Sequence, residues 1–368
     1  MRKSKIRITA LFVLMTLILS VFPACGSSGS KKIGVSMPSK TETRWAQDSD
    51  NIMRQLQAKG YEVDMRNAGG DVNTQIDQIQ SMIDGGCAVL LIAAIDGSKL
   101  TDALQKAAAK HVKVIAYDRL IRDTPNVDYY ATFDNFEVGV IQGGFLEDAL
   151  NLKNGGGPYN IEIFAGDPAD NNSQFFYDGA MSVLRPYLDS GELVALSGQT
   201  EFDDVSTPGW DATAAQDRMT ELLNDYYADG AKLDAVLSPN DGLDLNFSAD
   251  GEQIGIITAL KNAGYGGDGK PFPLLTGQDG VKENVVAILD GEQSMTVFKD
   301  TRMLAERTVT MIDDIMVKKK TEVNDTKTYD NGVKIVPAYV CAPLLVDKDN
   351  YKNVLIDSGY YKQSDLTN

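Results

Sequence analysis

Hydrophobic positions follow two alternating rhythms along this chain. Short apolar runs that read as strands alternate with longer stretches whose apolar residues recur at helical spacing. KIGVSM (32–37) reads as a strand, and 42–59 as a helix with Trp45, Ile52 and Leu56 near one face and Gly60 as its stop. YEVDMRN is the next strand, followed by a helix marked by Ile76, Ile79 and Met82 or Ile83 that ends at Gly85-Gly86. AVLLIAAI, a helix over Thr101 to Lys110 and KVIAYD complete the series. Consecutive βα units of this kind predict a parallel sheet with helices on both faces.

A second series begins after DYYATFDN. It reads as a helix (136–150), a glycine-rich loop KNGGGPYN, strand NIEIFAG, helix (172–188), strand LVALSG and a helix near 211–227. DAVLSPND, a helix over about 250–263, the surface loop GYGGDGKPFP, strand LLTGQD, a helix after Gly280 and strand MTVFKD follow. A last helix (304–317) precedes the strands KIVPAY and VCAPLLV. The fold class expected is α/β, with two Rossmann-like lobes.

Five of the apolar runs end on hydrogen-bonding side chains. These are Asp96, the pair Asp118 and Arg119, Asn240 with Asp241, Gln278 with Asp279, and Lys299 with Asp300. α/β sheets bind ligands outside the carboxyl ends of their strands. A lone Asp at such a place is often a helix cap, but five polar ends together suit a compact polyhydroxylated ligand. A buried hydroxyl without a partner costs about 1–3 kcal/mol. A closed sugar site therefore needs multi-site partners: Asp accepts, Arg and Lys donate, Asn and Gln do both. Trp45 and Trp210 are the only tryptophans, and both lie in polar settings (TETRWAQD, STPGWDAT), which favours stacking on a ligand over a purely structural role.

Composition narrows the options. Asp and Glu number 52 against 35 Lys and Arg, a formal charge of −17 that becomes −21 without the four basic residues of the leader. Such a chain has no electrostatic drive toward nucleic acid or an anionic membrane. The loop MPSKTETRW carries no phosphate-binding glycine motif, no GxSxG elbow is present, and the single His111 and scattered cysteines point to no metal or cofactor. Cys87 and Cys341 read as buried free thiols. No catalytic set is recognisable.

The N-terminus has a basic n-region (Arg2, Lys3, Lys5, Arg7), an apolar stretch from Ile8 to Val21, then Phe22-Pro23-Ala24-Cys25 and a Gly/Ser tether. It resembles a bacterial lipoprotein signal with Cys25 lipidated after cleavage. Phe22 and Pro23 depart from the usual residues there, and an ordinary secretory signal is the alternative. The expected division is a signal over 1–24, a tether over 25–31, an N-terminal lobe of 32–133 plus 300–337, and a C-terminal lobe of 134–299 plus 338–368.

In order, MPSKTETRW, LIAAIDG, KVIAYDRLI, YYATFDNFEVG, GDPADNN, SPNDG, GQD and VFKDTR resemble the periplasmic xylose-binding proteins. They are still more similar to the multiple-sugar-binding receptors for aldoses and uronic acids. The resemblance spans about 32–366. It implies a type I periplasmic-binding fold with a three-stranded hinge, and capture of a monosaccharide such as xylose, glucose, galactose, arabinose or a uronate. It also implies delivery to an ABC permease, with a chemoreceptor or sensor kinase as a further partner in some members. A chemosensory receptor without transport and an extracellular sugar-modifying enzyme are the alternatives; a transcription repressor of the same fold is disfavoured by the signal and the charge. Carried onto this chain, the implied contacts are Lys40, Arg44, Trp45, Asp96, Asp118 and Arg119 from the first lobe. Asn172, Trp210, Asn240 and Asp279 come from the second, with Lys299 near a hinge crossing. Asn135 is a weaker candidate that could equally be a helix cap. The multiple-sugar receptors tend to carry Tyr where Asn240 stands, whereas xylose binders carry Asn, so the substrate range stays open.

Overall fold

The computed structural model describes residues 31–366 apart from Glu42. The leader, Cys25 and nearly all of the tether lie outside the described residues. Among those described, no helix is long and apolar enough to cross a membrane.

Strands β1 (Lys32–Met37), β2 (Glu62–Asn67), β3 (Val89–Ile92), β4 (Lys113–Tyr117) and β5 (Tyr129–Phe133) alternate with helices α1 (Thr43–Ala58), α2 (Val72–Asp84) and α3 (Thr101–Ala109). The second series contains α4 (Asn135–Ala149), β6 (Tyr159–Ile163), α5 (Asn171–Ser190), β7 (Leu193–Val194), α6 (Phe202–Val205), α7 (Ala212–Tyr226) and β8 (Ala235–Leu237). It continues with α8 (Asp241–Asp244), β9 (Asn246–Phe247), β10 (Gln253–Ile254), α9 (Ile256–Asn262), β11 (Leu274–Leu275), α10 (Lys282–Asp290) and β12 (Met295–Phe298). Helix α11 (Thr301–Met316) and strands β13 (Ala338–Cys341) and β14 (Leu344–Asp347) follow.

The first sheet has the order β13-β5-β4-β3-β1-β2, with every pairing parallel. All four residues of β3 are buried, as expected of a central strand covered on both faces. Ile79, Met82 and Leu104 of α2 and α3 pack on one face. Ile52 and Leu56 of α1 pack with Leu304, Val309 and Ile312 of α11 on the other. Asn51 donates to the Thr301 hydroxyl across those two helices at 3.0 Å, so α11 belongs to the first lobe although it follows β12. The second sheet is smaller, β11-β8-β6-β7, again parallel. The antiparallel pair β12–β14 joins it through a bridge between Gln278 and Val297.

The chain crosses between the lobes three times: from β5 into α4, from β12 into α11, and from β13 into β14. The third crossing corrects the expected boundary. Ala338–Cys341 pairs with Tyr130–Phe133 and so belongs to the first lobe; the chain passes over only after Cys341. Other differences from the pattern reading have local causes. LVALSG forms only a two-residue strand, because Ala195 to Gly198 already turn, with Gly198 N–H donating to Ala195. The stretch 250–263 is helical only over Ile256–Asn262, and the residues before it fold back as the β9–β10 hairpin.

Candidate functional site

The carboxyl ends of both sheets face one cleft, which encloses a cavity of about 510 Å³ walled by both lobes. Arg44 is its centre. The residue sits in the first turn of α1, and its guanidinium is shared among three carboxylates. Nε donates to Asp48 Oδ2 at 2.7 Å, Nη2 to Asp118 Oδ1 at 2.7 Å, and Nη1 to Asp279 Oδ1 at 3.0 Å. Asp48 lies one helical turn below Arg44 on α1, whereas Asp279 comes from the opposite lobe. Asp279 Oδ1 also lies 2.8 Å from Lys299 Nζ. A chain of charge, Asp48–Arg44–Asp279–Lys299, therefore runs across the cleft.

The electrostatics follow from this arrangement. Burial pushes the Asp118 carboxyl up, but Arg44, Lys299 and Arg119 outweigh it and hold the group below its ordinary range. Asp279 behaves alike: burial acts against Lys299 and Arg44, and the cations win. Both carboxylates stay ionised and accept hydrogen bonds. Asp48 has no such surplus of cations. Burial pushes it up to about 6 despite Arg44 and the hydrogen bond from the Tyr117 hydroxyl.

The remaining walls are built around these groups. Arg119 Nε lies 3.0 Å from Asp170 Oδ2. Two cations lie near the Trp45 ring, with the Arg44 and Arg119 guanidinium carbons 5.5 and 5.2 Å from its centroid. Trp45 is only 4% exposed and also packs in the first-lobe core, so it is both core anchor and cavity wall. Opposite, Phe176 meets Trp210 edge-on at 6.4 Å. The Trp210 ring lies flat on Gly166, where a Cβ would fall 2.0 Å from the ring; any other residue would push the indole away. Trp210 and Gln278 also line the cavity, although Trp210 Nε1 and Gln278 Oε1 are themselves buried with no hydrogen-bond partner among the described residues.

Three wall residues carry left-handed backbone although none is glycine: Asp118 (φ 60°), Trp210 (φ 55°) and Asp279 (φ 102°). Such conformations cost on the order of 1–3 kcal/mol each and persist where the surroundings over-determine them. At Asp118 the surroundings are visible. Its carbonyl accepts from the Tyr130 hydroxyl at 2.6 Å, Thr132 Oγ1 at 3.1 Å and Asn172 Nδ2 at 2.8 Å.

Of the expected contacts, Arg44, Trp45, Asp118, Arg119, Asn172, Trp210, Asn240, Asp279 and Lys299 all border this cavity. Three do not. Lys40 is exposed, lying past Pro38 and Ser39, whose residues form that part of the wall instead. Asp96 turns onto its own loop, accepting from Ser98 N and Oγ at 2.8 and 2.7 Å. Asn135 stands behind the wall, donating to Asn172 Oδ1 at 2.9 Å. Asn240 caps the short helix α8 through Leu243 N–H at 3.1 Å while bordering the cavity. The pattern reading missed Asp48, Asp170, Phe176 and Phe247. Asp48 had a signal, its i,i+4 spacing from Arg44. Asp170 lies within the GDPADNN motif, two residues before Asn172. Phe247 had none: it precedes the helix expected over about 250–263, and only its hairpin partner β10 falls inside that stretch.

Residues 33–320 match the periplasmic binding protein domain family. The chain belongs to that family. It is 54% identical to the multiple sugar-binding periplasmic receptor ChvE of Rhizobium radiobacter over 334 residues, covering 91% of this chain and 92% of the relative. Identity to the D-xylose-binding periplasmic protein of Escherichia coli is 31%, over 96% of this chain and 98% of that protein. Among solved structures, an ABC transporter solute-binding protein from Clostridium phytofermentans with bound β-D-glucose superposes with a TM-score of 0.85. It is 49% identical, over 91% of this chain and all of that one. Periplasmic binding proteins work on the extracytoplasmic side, and so does this one.

Proposed function

We propose that this protein captures a neutral aldose between its two lobes and presents the closed complex to an ABC importer. The observation that carries this reading is the cavity's polar set. Ionised Asp118 and Asp279 accept, Arg44, Arg119 and Lys299 donate, and Trp45, Phe176 and Trp210 offer apolar faces. A ring of hydroxyls above C–H faces matches those groups. Relatives named for multiple sugars and for D-xylose, and a similar structure holding β-D-glucose, support it.

Charge bears on the choice between neutral sugars and uronates. Three cations border the cavity against five aspartates, Asp118, Asp167, Asp170, Asp211 and Asp279. Each cation lies beside an acid: Arg44 at three, Arg119 at Asp170, Lys299 at Asp279. A uronate carboxylate would have to compete for them, so xylose, glucose, galactose and arabinose fit better than glucuronate or galacturonate. The site holds and orients; no group in it is poised as a nucleophile or a general acid. Lipidation of Cys25 would tether the protein at the membrane surface, within reach of a permease.

A thermal-shift screen over pentoses, hexoses and uronates tests the reading, because a ligand of the native state raises the melting temperature by mass action. Stabilisation by at least one neutral aldose, recovered unchanged by chromatography, is expected. A flat response to all of them, or conversion of the sugar, would overturn the proposal.

A further inference from the structure

Asp279 meets Arg44 and Lys299 from a turn whose backbone is strained, and something must hold that turn. The residue that does so lies outside the cavity. Asp241, at the start of α8, is completely buried and borders no part of the sugar site. Its backbone N–H donates to the Gln278 carbonyl at 2.9 Å, just before Asp279. Its Oδ2 accepts from Val281 N at 2.9 Å, just after Gly280. The same oxygen accepts from Thr296 Oγ1 at 2.9 Å, and that hydroxyl oxygen in turn accepts from Gly280 N at 3.1 Å. Oδ1 accepts from Gln293 Nε2 at 2.8 Å. One residue thus grips the 278–281 segment at both ends, by its backbone N–H at Gln278 and its carboxylate at Val281, and through Thr296 at Gly280.

An acidic residue at a helix start ordinarily faces water, where it complements the exposed N–H groups. This one does not. It fills the space under Gly277, where a Cβ would fall 2.2 Å from Asp241 Oδ1 and 2.4 Å from Gln293 Nε2. Burial, with a contribution from Asp279, pushes its carboxyl up to about 7, while the hydrogen bonds from Gln293, Val281 and Thr296 favour the charged form.

We propose that Asp241 is a positioning residue for the sugar site, clamping the Gln278–Val281 turn in the strained form that aims Asp279 at the cleft. The inference rests on the proposed sugar-binding function and says how one half of that site is set. Asp241→Asn keeps the shape but loses one acceptor, so either the Gln293 Nε2 or the Val281 N–H contact must be given up, while the Thr296 hydroxyl can reverse and accept.

The test is a double-mutant cycle of Asp241→Asn with Asp279→Asn. Calorimetric titration uses an aldose that the wild type binds, drawn from glucose, xylose, galactose and arabinose, with ligand-free melting measured alongside. If Asp241 acts through Asp279, D241N weakens binding about 10-fold alone and adds little in the D279N background. Its effect on ligand-free melting stays the same in both backgrounds. Wild-type affinity in D241N, or losses that multiply in the double variant, would overturn the proposal. Should D241N fail to fold, Thr296→Val removes only the hydroxyl between Asp241 and Gly280 and is expected to weaken binding; unchanged affinity there would equally refute it. A wild type that binds none of the four sugars would overturn the functional reading itself.

Discussion

The two halves of the cleft are ordered by different means. In the first lobe the site is fixed mainly by side chains, and even left-handed Asp118 has its carbonyl held by the side chains of Tyr130, Thr132 and Asn172. Arg44 and Asp48 share one helix face, Tyr117 closes on Asp48 from the end of β4, and Asp118 follows one residue later. The geometry is set by long, fully buried groups that hold one another. In the second lobe it is fixed by backbone. Asp279 and Trp210 sit in left-handed turns, Asn240 caps a four-residue helix, and the strands behind them are only two or three residues long. Side-chain networks fail when a partner is removed, because the remaining charge is left buried. Turns fail when their hydrogen bonds are redistributed. The first lobe is therefore expected to couple recognition tightly to stability, and the second to separate them.

Arg44→Ala breaks this comparison most sharply. It leaves Asp48, Asp118 and Asp279 without their shared cation, and destabilisation of about 3–5 kcal/mol is expected together with loss of sugar binding. Denaturant unfolding and calorimetry would read both; a variant that melts normally would show that the first-lobe network is not the brace described. Asp279→Ala is expected to lower sugar affinity by at least about 100-fold with a smaller effect on folding than Arg44→Ala, because Arg44 keeps Asp48 and Asp118 as partners. Equal losses of stability in the two variants would erase the contrast between the lobes.

Trp210→Ala comes next, with roughly 10-fold weaker binding expected from the lost apolar platform. Asp48→Asn sharpens the account of the first lobe through pH. The folded-state value near 6 lies above the ordinary value of about 4. This group's contribution to stability is therefore full below about pH 4 and is lost as pH rises through 6. Melting curves of the wild type and the variant should differ in slope across that window and run parallel above it. Lys40→Ala and Asp96→Ala are the smallest cases. Both residues sit off the cavity, so their affinities should stay within about twofold of wild type.

Much of this was legible in the chain. The alternation of periods predicts the two parallel sheets, and strand ends rich in Asp, Asn, Gln and Arg point to the cleft, because a parallel strand delivers its last residue there. What escaped was whatever depends on a contact between distant segments. Lys40 and Asp96 have suitable chemistry at suitable places, but one projects into solvent and the other is taken up by its own turn. The sequence pattern divides this region into KIVPAY and VCAPLLV, a break that falls inside the strand 338–341, and only pairing with β5 shows that the chain changes lobes after Cys341. Phe247 reaches the cavity through a hairpin whose returning strand, flanked by Gly251 and Gly255 at positive φ, replaces the first turns of the expected helix.

The most direct test of the central claim is calorimetric titration at pH 7 with D-glucose and D-glucuronate side by side, backed by xylose, galactose and arabinose. The account predicts saturable one-to-one binding of at least one neutral aldose, and weaker binding of glucuronate than of glucose. Absence of heat with every neutral sugar, or a clear preference for the uronate, would contradict it.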